Sequence, residues 1–287
     1  MCARLPGAGA DWIPVNTEMR KIIAIALALT LLLGCTACGR SVGRSGGVRT
    51  VTTLVQQDYS LAFRVGDPTR DYIDAALKVL TAEGRVDELA TKWFGGRIIS
   101  FERDAAAMDE LEIPGPRDLI IGVDVNSFPM AYLANGEFWG FDVELAMAVA
   151  DRLGWNLKIQ TIEKEDVYIE LSSGNIDCAW GGIALNDREV AEGLYSEYGP
   201  YVHNDIVIAA RGGSFIYNKM MLAGKSMAMC TTAEALDALN SEPSLGRRLG
   251  QITRLAGGTT ECFSYLYSGK CDVVLTDTMA IYYFNCH

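Results

Sequence analysis

Short apolar runs alternate with amphipathic helical segments through most of the chain. Residues 119–124 (LIIGVD) form one such run, and within 143–153 the apolar residues recur at the spacing of one helix face. The same order returns in 226–239. Because strands that alternate with helices assemble into α/β structures, this pattern predicts an α/β fold with largely parallel sheets. We expect residues 118–210 and 213–287 to form one such unit each.

The charge balance and the scarcity of histidine argue against several classes of function. The 287 residues suffice for two domains. Lys and Arg number 25 against 36 Asp and Glu, and this net charge of −11 disfavours a nucleic-acid partner, because phosphate binding needs clustered cations. Only His203 and His287 are present, so neither a histidine-rich metal site nor a histidine-based triad is expected. No nucleotide-loop, esterase or zinc-protease motif occurs, and we expect no cofactor and no metal.

The N-terminal region has the pattern of a secretory signal. A basic pair precedes the apolar run 22–33, which is too short to span a bilayer as a helix. Leu-Leu-Gly-Cys follows the pattern of a lipobox, so Cys35 is expected to carry a lipid; an uncleaved anchor and a plain signal peptide are the alternatives. Residues 1–34 are interpreted as leader and signal peptide, and 35–48 as a flexible tether. Met19 is an alternative translation start to Met1.

Five cysteines lie in the part of the chain that is expected to fold. They are widely spaced and include no CxxC pair, which is not a zinc pattern. Export would permit disulfides, but the sequence does not determine their pairing. Cys178 and Cys271 lie in apolar runs and are expected to be buried free thiols. The five are Cys178, Cys230, Cys262, Cys271 and Cys286.

Three positions combine polar chemistry with the start of a helix or the end of a strand. Thr231-Thr232-Ala233-Glu234 matches a capping box with Thr231 at the N-cap, and such a helix start either binds an anion or serves only as a cap. Arg188 follows a glycine-rich turn and is either a carboxylate clamp or a surface arginine. Asp277 and Asp124 follow apolar strands, where each either holds an ammonium group or caps a helix.

Several stretches resemble one family when they are taken together. IIGVDVNSFPMAY, NGEFWGFDVELAMAVADRLG, SSGNIDCAWGGIALNDRE and SGKCDVVLTD are similar to segments of extracellular solute-binding proteins of polar amino-acid ABC importers. Residues 59–96 resemble the C-terminal segment of that family, although they precede the others here. The resemblance therefore implies a circularly permuted, two-lobed periplasmic-binding-protein-like fold of type 2, with a ligand cleft between the lobes.

The resemblance also implies where the lobes and hinges lie. The two lobes are expected to be joined by two crossing strands, and the 21 residues between the permuted segments form a linker that is long enough to span a wide gap. The expected boundaries are 66–207 for lobe 1 including linker 97–117, 49–62 with 213–287 for lobe 2, and 60–64 with 208–212 for the hinges.

The same resemblance assigns roles to single residues. Arg188 would clamp an α-carboxylate together with N–H groups at Thr232, and Asp277 would hold the α-ammonium with help from the carbonyl of Gly182. Ala184 stands where a hydroxyl residue is usual, Lys164 stands where an aromatic is common, and the loop from Ala184 to Arg188 is one residue shorter than in many relatives. The further expected ligand-binding positions are Thr231, Asp124, Phe128, Ala184, Trp180 and Lys164.

The resulting expectation is a binding protein rather than an enzyme. It would be anchored to the membrane through an N-terminal lipid, capture an amino acid or similar small zwitterion between two closing lobes, and deliver it to an ABC permease complex. Two alternatives stay open at this point. One is an enzyme on the same fold, of the cyclic-acid dehydratase type, and the other is a sensory ligand-binding protein that works without an importer.

Overall fold

The computed structural model of the protein describes residues 47–96 and 98–287. Two five-stranded sheets and a two-stranded hairpin organise this part of the chain. Sheet I has the strand order β6-β3-β7-β2-β8, sheet II the order β1-β9-β12-β10-β11, and β4 pairs with β5. The strands are β1 (Val48–Val55), β2 (Asp58–Phe63), β3 (Asp118–Val123), β4 (Tyr132–Ala134), β5 (Glu137–Trp139), β6 (Asn156–Thr161), β7 (Cys178–Ala179), β8 (Ser196–His203), β9 (Ile206–Arg211), β10 (Ser226–Cys230), β11 (Gln251–Leu255) and β12 (Val273–Asp277).

Helices follow most strands, which confirms the predicted α/β class. Among the described residues, α1, α2 and α3 pack against sheet I and α8 packs against sheet II. The helices are α1 (Thr69–Ala82), α2 (Arg85–Phe94), α3 (Phe141–Leu153), α4 (Val167–Ser172), α5 (Asp187–Glu192), α6 (Ala233–Asn240), α7 (Pro243–Arg248), α8 (Gly258–Tyr267) and α9 (Thr278–Cys286), with single 3₁₀ turns at Lys164–Asp166 and Lys219–Leu222.

The sheets are mixed rather than largely parallel. In sheet I, β3 runs parallel to β6 and β7, while β2 is antiparallel to β7 and β8. In sheet II, β10 runs parallel to β11 and β12, while β9 is antiparallel to β1 and β12. The prediction of parallel pairing therefore holds for three strands in each sheet. It is wrong for the others because two long segments, β1 with β2 and β8 with β9, each pass through both sheets.

Two short connections join the sheets. Residues 56–57 lie between β1 and β2, and residues 204–205 lie between β8 and β9. The expected hinge positions, 60–64 and 208–212, instead lie largely within β2 and β9. There the side chains are mostly apolar and the backbone is hydrogen-bonded to neighbouring strands. As a correction, the passage between sheets occurs a few residues earlier in the chain, and β2 belongs to sheet I rather than to lobe 2.

Sheet II is buried on both faces. Side chains of β9 alternate between two apolar clusters, with Ile206, Ile208 and Ala210 in one and Val207 and Ala209 in the other. This alternation follows from the two-residue period of a strand, and burial on both faces explains why the strand has an unbroken apolar sequence. The start of β9 and the neighbouring end of β12 are thereby held in place beside the connection at residues 204–205.

The described part of linker 97–117 packs closely against sheet I. The ring of Phe101 stacks on Tyr201 with centroids 5.4 Å apart, and the backbone N–H of Ser100 donates to the carbonyl of Tyr201 at 2.8 Å. Further along, the indole N–H of Trp155 donates to the carbonyl of Pro114. The segment therefore spans the distance between α2 and β3 as a packed strap.

Helix α9 contacts both parts of the molecule. The Asn285 side chain brackets the start of β1, because its Oδ1 accepts from the N–H of Val48 at 2.7 Å and its Nδ2 donates to the carbonyl of Val48 at 2.8 Å. On the side of sheet I, the ring of Tyr283 lies 5.9 Å from that of Trp93 in α2. The end of α9 and the start of β1 are thus neighbours in space.

The predictions for residues 1–34, for Cys35 and for most of tether 35–48 lie outside the described residues. Within the described ranges, none of the helices combines the length and the apolar character that crossing a membrane would require.

Candidate functional site

Asp277 both caps a helix and lines a cavity. It ends β12 and is the N-cap of α9, where its Oδ1 accepts from the backbone N–H of Ala280 at 2.8 Å. It also lines a small cavity of about 40 Å³. Burial, together with the nearby carboxylate of Glu234, raises the pKa of Asp277 to about 7. A cationic partner would stabilise the charged form of this carboxyl group, because it would offset both the burial and the repulsion from Glu234.

Thr232, not Thr231, is the N-cap of α6. Its Oγ1 accepts from the N–H of Ala235, three residues further on, at 3.3 Å. The predicted capping box is therefore wrong by one residue, since β10 ends at Cys230 and Thr231 is still outside the helix. Glu234 consequently occupies the second helical position. Its Oε1 lies 3.5 Å from Nζ of Lys164, a residue of the sheet I part of the molecule.

The Asp277 cavity lies between the two parts of the molecule. Asn126, which follows β3, faces residues of sheet II across it. A second cavity of about 180 Å³ shares Asn126, Cys230 and Thr232 with the first and adds Phe128. We call the two together the inter-sheet cleft. Asp277 and Thr232 thus line one cavity, at the carboxyl ends of strands β12 and β10.

The inter-sheet cleft is acidic and contains an unpaired hydroxyl group. Its described lining residues include Glu234 and Asp277 but neither lysine nor arginine. Thr276, also in the lining, is 7% exposed, and its Oγ1 has no hydrogen-bond partner among the residues that the structure describes. A buried hydroxyl without a partner costs free energy, so a ligand that pairs with Thr276 would gain correspondingly.

Arg188 lies outside this cleft. It lines a separate cavity of about 870 Å³, and its side chain is 84% exposed with Nε 2.8 Å from Oε1 of Glu192, one turn along α5. Asn186 caps α5, so Arg188 is the second helical residue. The ion pair with Glu192 holds the arginine side chain along α5. The expected convergence of Arg188 with Thr232 and Asp277 is not found here, and the surface-arginine alternative describes this structure.

Asp142 organises the loop that precedes α5. The carboxylate is fully buried and accepts from the N–H of Gly182 at 2.8 Å, the hydroxyl of Tyr201 at 2.6 Å and the indole N–H of Trp180 at 3.2 Å. Burial raises the pKa of Asp142 to about 7. The sequence suggests only a helix cap at Asp142, although an acid between the apolar residues Phe141 and Val143 was a usable signal.

Gly182 is held in a conformation that excludes a side chain. Its φ is +65°, and a Cβ atom there would lie 2.8 Å from Cβ of both Ser127 and Met130. The carbonyl of Gly182, expected to assist with an ammonium group, accepts from Oγ of Ser127 at 2.9 Å. Trp180, an expected ligand contact, is instead fully buried, and its indole N–H donates to Asp142. Its placement corrects that expectation, because the indole N–H satisfies the buried acid.

The remaining expected positions are not gathered at one cavity. Asp124 accepts from the N–H of Asn126 at 2.8 Å, and burial is the main cause that raises its pKa. Phe128 lines the inter-sheet cleft and packs edge-on against Tyr283, with centroids 4.9 Å apart. Ala184 and Lys164 line the cavity of Arg188. As expected, Cys178 and Cys271 are buried free thiols.

Comparison with known proteins identifies related sequences over part of the chain. The sequence model for bacterial extracellular solute-binding proteins, family 3, matches residues 119–249. The probable amino-acid-binding protein YxeM of Bacillus subtilis is 30% identical over 90 residues, which cover 31% of this chain and 34% of that protein. The arginine-binding extracellular protein ArtP of Bacillus subtilis is 26% identical over 113 residues, 39% of this chain and 44% of that protein. The match thus spans less than half the length of either relative.

Solved structures of similar proteins cover somewhat more of the chain. A substrate-binding protein of a polar amino acid ABC uptake transporter from Streptococcus thermophilus is 28% identical with a TM-score of 0.43, covering 56% of this chain and 61% of that one. A substrate-binding protein from Streptococcus pneumoniae with bound histidine is 23% identical with a TM-score of 0.43, covering 57% and 67%.

Both Bacillus subtilis relatives are named as binding proteins, which agrees with the expectation of a binding module rather than an enzyme. Residues 119–249 of the chain are thus similar to bacterial extracellular solute-binding proteins, family 3.

Proposed function

We propose that the protein captures an amino acid or a similar small zwitterion in the inter-sheet cleft and delivers it to an ABC importer. The observation that carries the proposal is the position of Asp277, a partly buried carboxyl group at the end of a central strand, facing Asn126 of the other part of the molecule. A group held by both parts stabilises the closed arrangement, and closure is then a shift of population toward it.

The ligand's ammonium group would bind Asp277. One carboxylate oxygen of Asp277 is used by the cap to Ala280, which fixes the side chain in place. The hydroxyl of Thr276 would supply a second acceptor. Neutralisation by the ammonium group would return the raised pKa of Asp277 toward its ordinary range.

The ligand's carboxylate would bind the free N–H groups at the start of α6, next to Thr232. Arg188 would join it only after its pair with Glu192 opens and α5 approaches the cleft. That pair is exposed to solvent, so breaking it costs about 0–1 kcal/mol. The carboxylate-clamp role of Arg188 thus stays a prediction that depends on closure.

The proposal includes a circular permutation. Helices α1 and α2 share one apolar core with α3 and sheet I, as they would in any chain order. The end of α9 lies against the start of β1, through Asn285 and Val48. In an unpermuted chain, a short connecting segment would therefore suffice to join α9 directly to β1. Adjacent termini are the physical requirement for permutation. Lipidation at Cys35, attachment to the membrane and docking to a permease complete the proposal and rest on the sequence and on the similarity of residues 119–249 to solute-binding proteins.

Titration calorimetry with the twenty amino acids and small dicarboxylates tests the proposal. One of them should bind with micromolar or tighter affinity. Asp277→Asn should weaken it at least tenfold, since a hydrogen bond to a charged group contributes about 1.5–3 kcal/mol. Asparagine is also a good N-cap, so this variant is expected to keep the cap of α9. Asp237→Asn, on the exposed face of α6, is the matched control.

Two results would count against the proposal. Absence of binding by the folded protein to every compound would remove the amino-acid assignment. Unchanged affinity in Asp277→Asn would move the binding site away from the inter-sheet cleft. Unchanged affinity in Arg188→Ala would eliminate only the carboxylate-clamp role of that arginine.

A further inference from the structure

Two cysteine sulfurs meet beside the inter-sheet cleft. Sγ of Cys230, the last residue of β10, lies 3.6 Å from Sγ of Cys262 in the middle of α8. Among the cysteines that the structure describes, this is the one pair whose sulfurs are in contact. A disulfide has an S–S distance of about 2.03–2.05 Å, so the sulfurs need to approach by roughly 1.6 Å, a distance within the range of side-chain rotation.

The pair combines a buried sulfur with an accessible one. Cys262 is fully buried, whereas Cys230 is partly exposed and lines both cavities of the cleft. The hydroxyl of Thr259 lies 3.8 Å from Sγ of Cys230. An oxidant that enters through the cleft would therefore reach Cys230 first and would find Cys262 directly behind it.

We propose that Cys230 and Cys262 form a reversible disulfide that ties the end of β10 to α8 at the wall of the cleft. The proposal does not depend on the identity of any ligand. The predicted export would place the chain where disulfides form and persist.

The chemistry needs a disulfide oxidant, such as oxidised glutathione or a dithiol oxidoreductase. The Cys230 thiolate attacks one sulfur of the oxidant, forms a mixed disulfide and releases the first thiolate. The Cys262 thiolate then attacks Sγ of Cys230 and releases the second. Two protein thiols lose two electrons and two protons, and one disulfide of the oxidant becomes two thiols.

The order of attack follows from the environment of the two thiols. The contact between the two sulfurs lowers the pKa of Cys230, and the same contact together with burial raises the pKa of Cys262. Because the thiolate is the nucleophile, Cys230 reacts first and Cys262 resolves the mixed disulfide. Proximity to Cys262 makes this second step an intramolecular reaction.

The bond would join two segments that line the same cavities. Thr232 follows β10, while Thr259 and Thr260 lie in the first turn of α8. Tying Cys230 to Cys262 would hold these segments in register, so the oxidised form is pre-organised at this wall. The reduced form would allow β10 and α8 to move separately there.

The test uses the full chain, without any substitution, incubated with oxidised glutathione at about pH 8, where the Cys230 thiolate is the reacting species, under native conditions. Peptide mapping by mass spectrometry should recover the peptides of Cys230 and Cys262 joined, with the loss of two hydrogens. Dithiothreitol should reverse the change, and the oxidised form should unfold at a higher temperature than the reduced form. Cys230→Ser and Cys262→Ser should each abolish the linked peptides, whereas Cys286→Ser, at an exposed position, should not.

Other results would overturn the proposal. One is a stable glutathione adduct on Cys230 of the unmodified sequence without conversion to the linked form. Another is unreacted Cys230 and Cys262 when Cys286 has been oxidised. A linkage of Cys230 to any other cysteine would be equally decisive. Because the mapping is done on the native sequence, its outcome does not depend on whether a serine variant folds.

Discussion

Replacing Asp142 with alanine should be among the most damaging single changes to this fold. The side chain is fully buried at the point where sheet I, α3 and the Gly182 loop meet. Asp142→Ala leaves three buried donors without an acceptor: the N–H of Gly182, the indole N–H of Trp180 and the hydroxyl of Tyr201. The space it leaves is small, so the lost hydrogen bonds determine the size of the effect.

The expected loss follows from the number of donors. A buried donor without a partner costs about 1–3 kcal/mol, which for three gives about 3–9 kcal/mol. The lower part of that range applies, because burial already disfavours the charged form of Asp142 and raises its pKa to about 7. We therefore expect a decrease of about 3–5 kcal/mol in the free energy of unfolding, the range found when a buried ionic partner is removed. Since domains have about 5–15 kcal/mol in all, the variant should be marginally stable.

The same residue should give the stability a distinctive pH dependence. A carboxyl group with a folded pKa of about 7, above its ordinary 3.8, binds its proton more tightly in the folded state. Its contribution to stability is therefore complete below about pH 4 and decreases as the pH rises toward 7, by about 1.4 kcal/mol for each pH unit. Asp142→Asn has no such titration. The advantage of the native protein over Asp142→Asn should thus shrink between about pH 4 and pH 7.

Urea unfolding followed by tryptophan fluorescence measures both effects. Asp151→Ala, on the exposed face of α3, is the matched control and should change the free energy of unfolding by less than about 0.5 kcal/mol. A loss below about 1 kcal/mol for Asp142→Ala, or an advantage over Asp142→Asn that grows with pH, would refute this explanation of the buried cluster.

Three further changes test other contacts. In urea unfolding, Gly182→Ala should lower the free energy of unfolding by about 1–3 kcal/mol more than Gly174→Ala. Both glycines have φ near +70°, but only at Gly182 would a Cβ atom lie within 2.8 Å of its neighbours. Equal losses of stability in the two variants would contradict this clash. In an NMR titration the pKa of His203 should lie above 6.5, chiefly because of its hydrogen bond with Asp58. The stability that this bond adds should be present at low pH and lost as the pH rises through the pKa of His203. His203→Gln should remove this pH dependence, and a His203 pKa below 6.5 would contradict the prediction. Lys164→Ala removes a partly exposed ion pair and should cost about 0–1 kcal/mol in the same assay, so a loss above about 2 kcal/mol would show that the pair holds the two parts together.

The alternation of elements was predictable because hydrophobic periods are local properties of the sequence. Asp277 and Thr232 were placed at the ends of β12 and β10, and both line the inter-sheet cleft. The strand register and the mixed pairing were not predictable, since they depend on two segments that each thread both sheets. Local patterns do not state which distant strand a segment will pair with.

The missed site contacts have different causes. Thr231 and Thr232 are equally good caps by residue type, and only the end of β10 decides between them. For Arg188, the sequence did not show that the side chain would pair with Glu192, one turn along α5. Asp142 was missed for another reason, because its three partners are 38 to 59 residues distant along the chain.

The paired passage of the chain between the sheets sets the geometry of any motion. Gln56 and Gln57 form one span and Asn204 and Asp205 the other, while the strands on either side are locked in ladders. Relative rotation of the two sheets has to be absorbed by the backbone torsions of these four residues. The two spans run side by side, since the N–H of Asn204 donates to the carbonyl of Gln57. They therefore form a double hinge, which permits rotation of one sheet relative to the other about one axis and resists rotation about other axes.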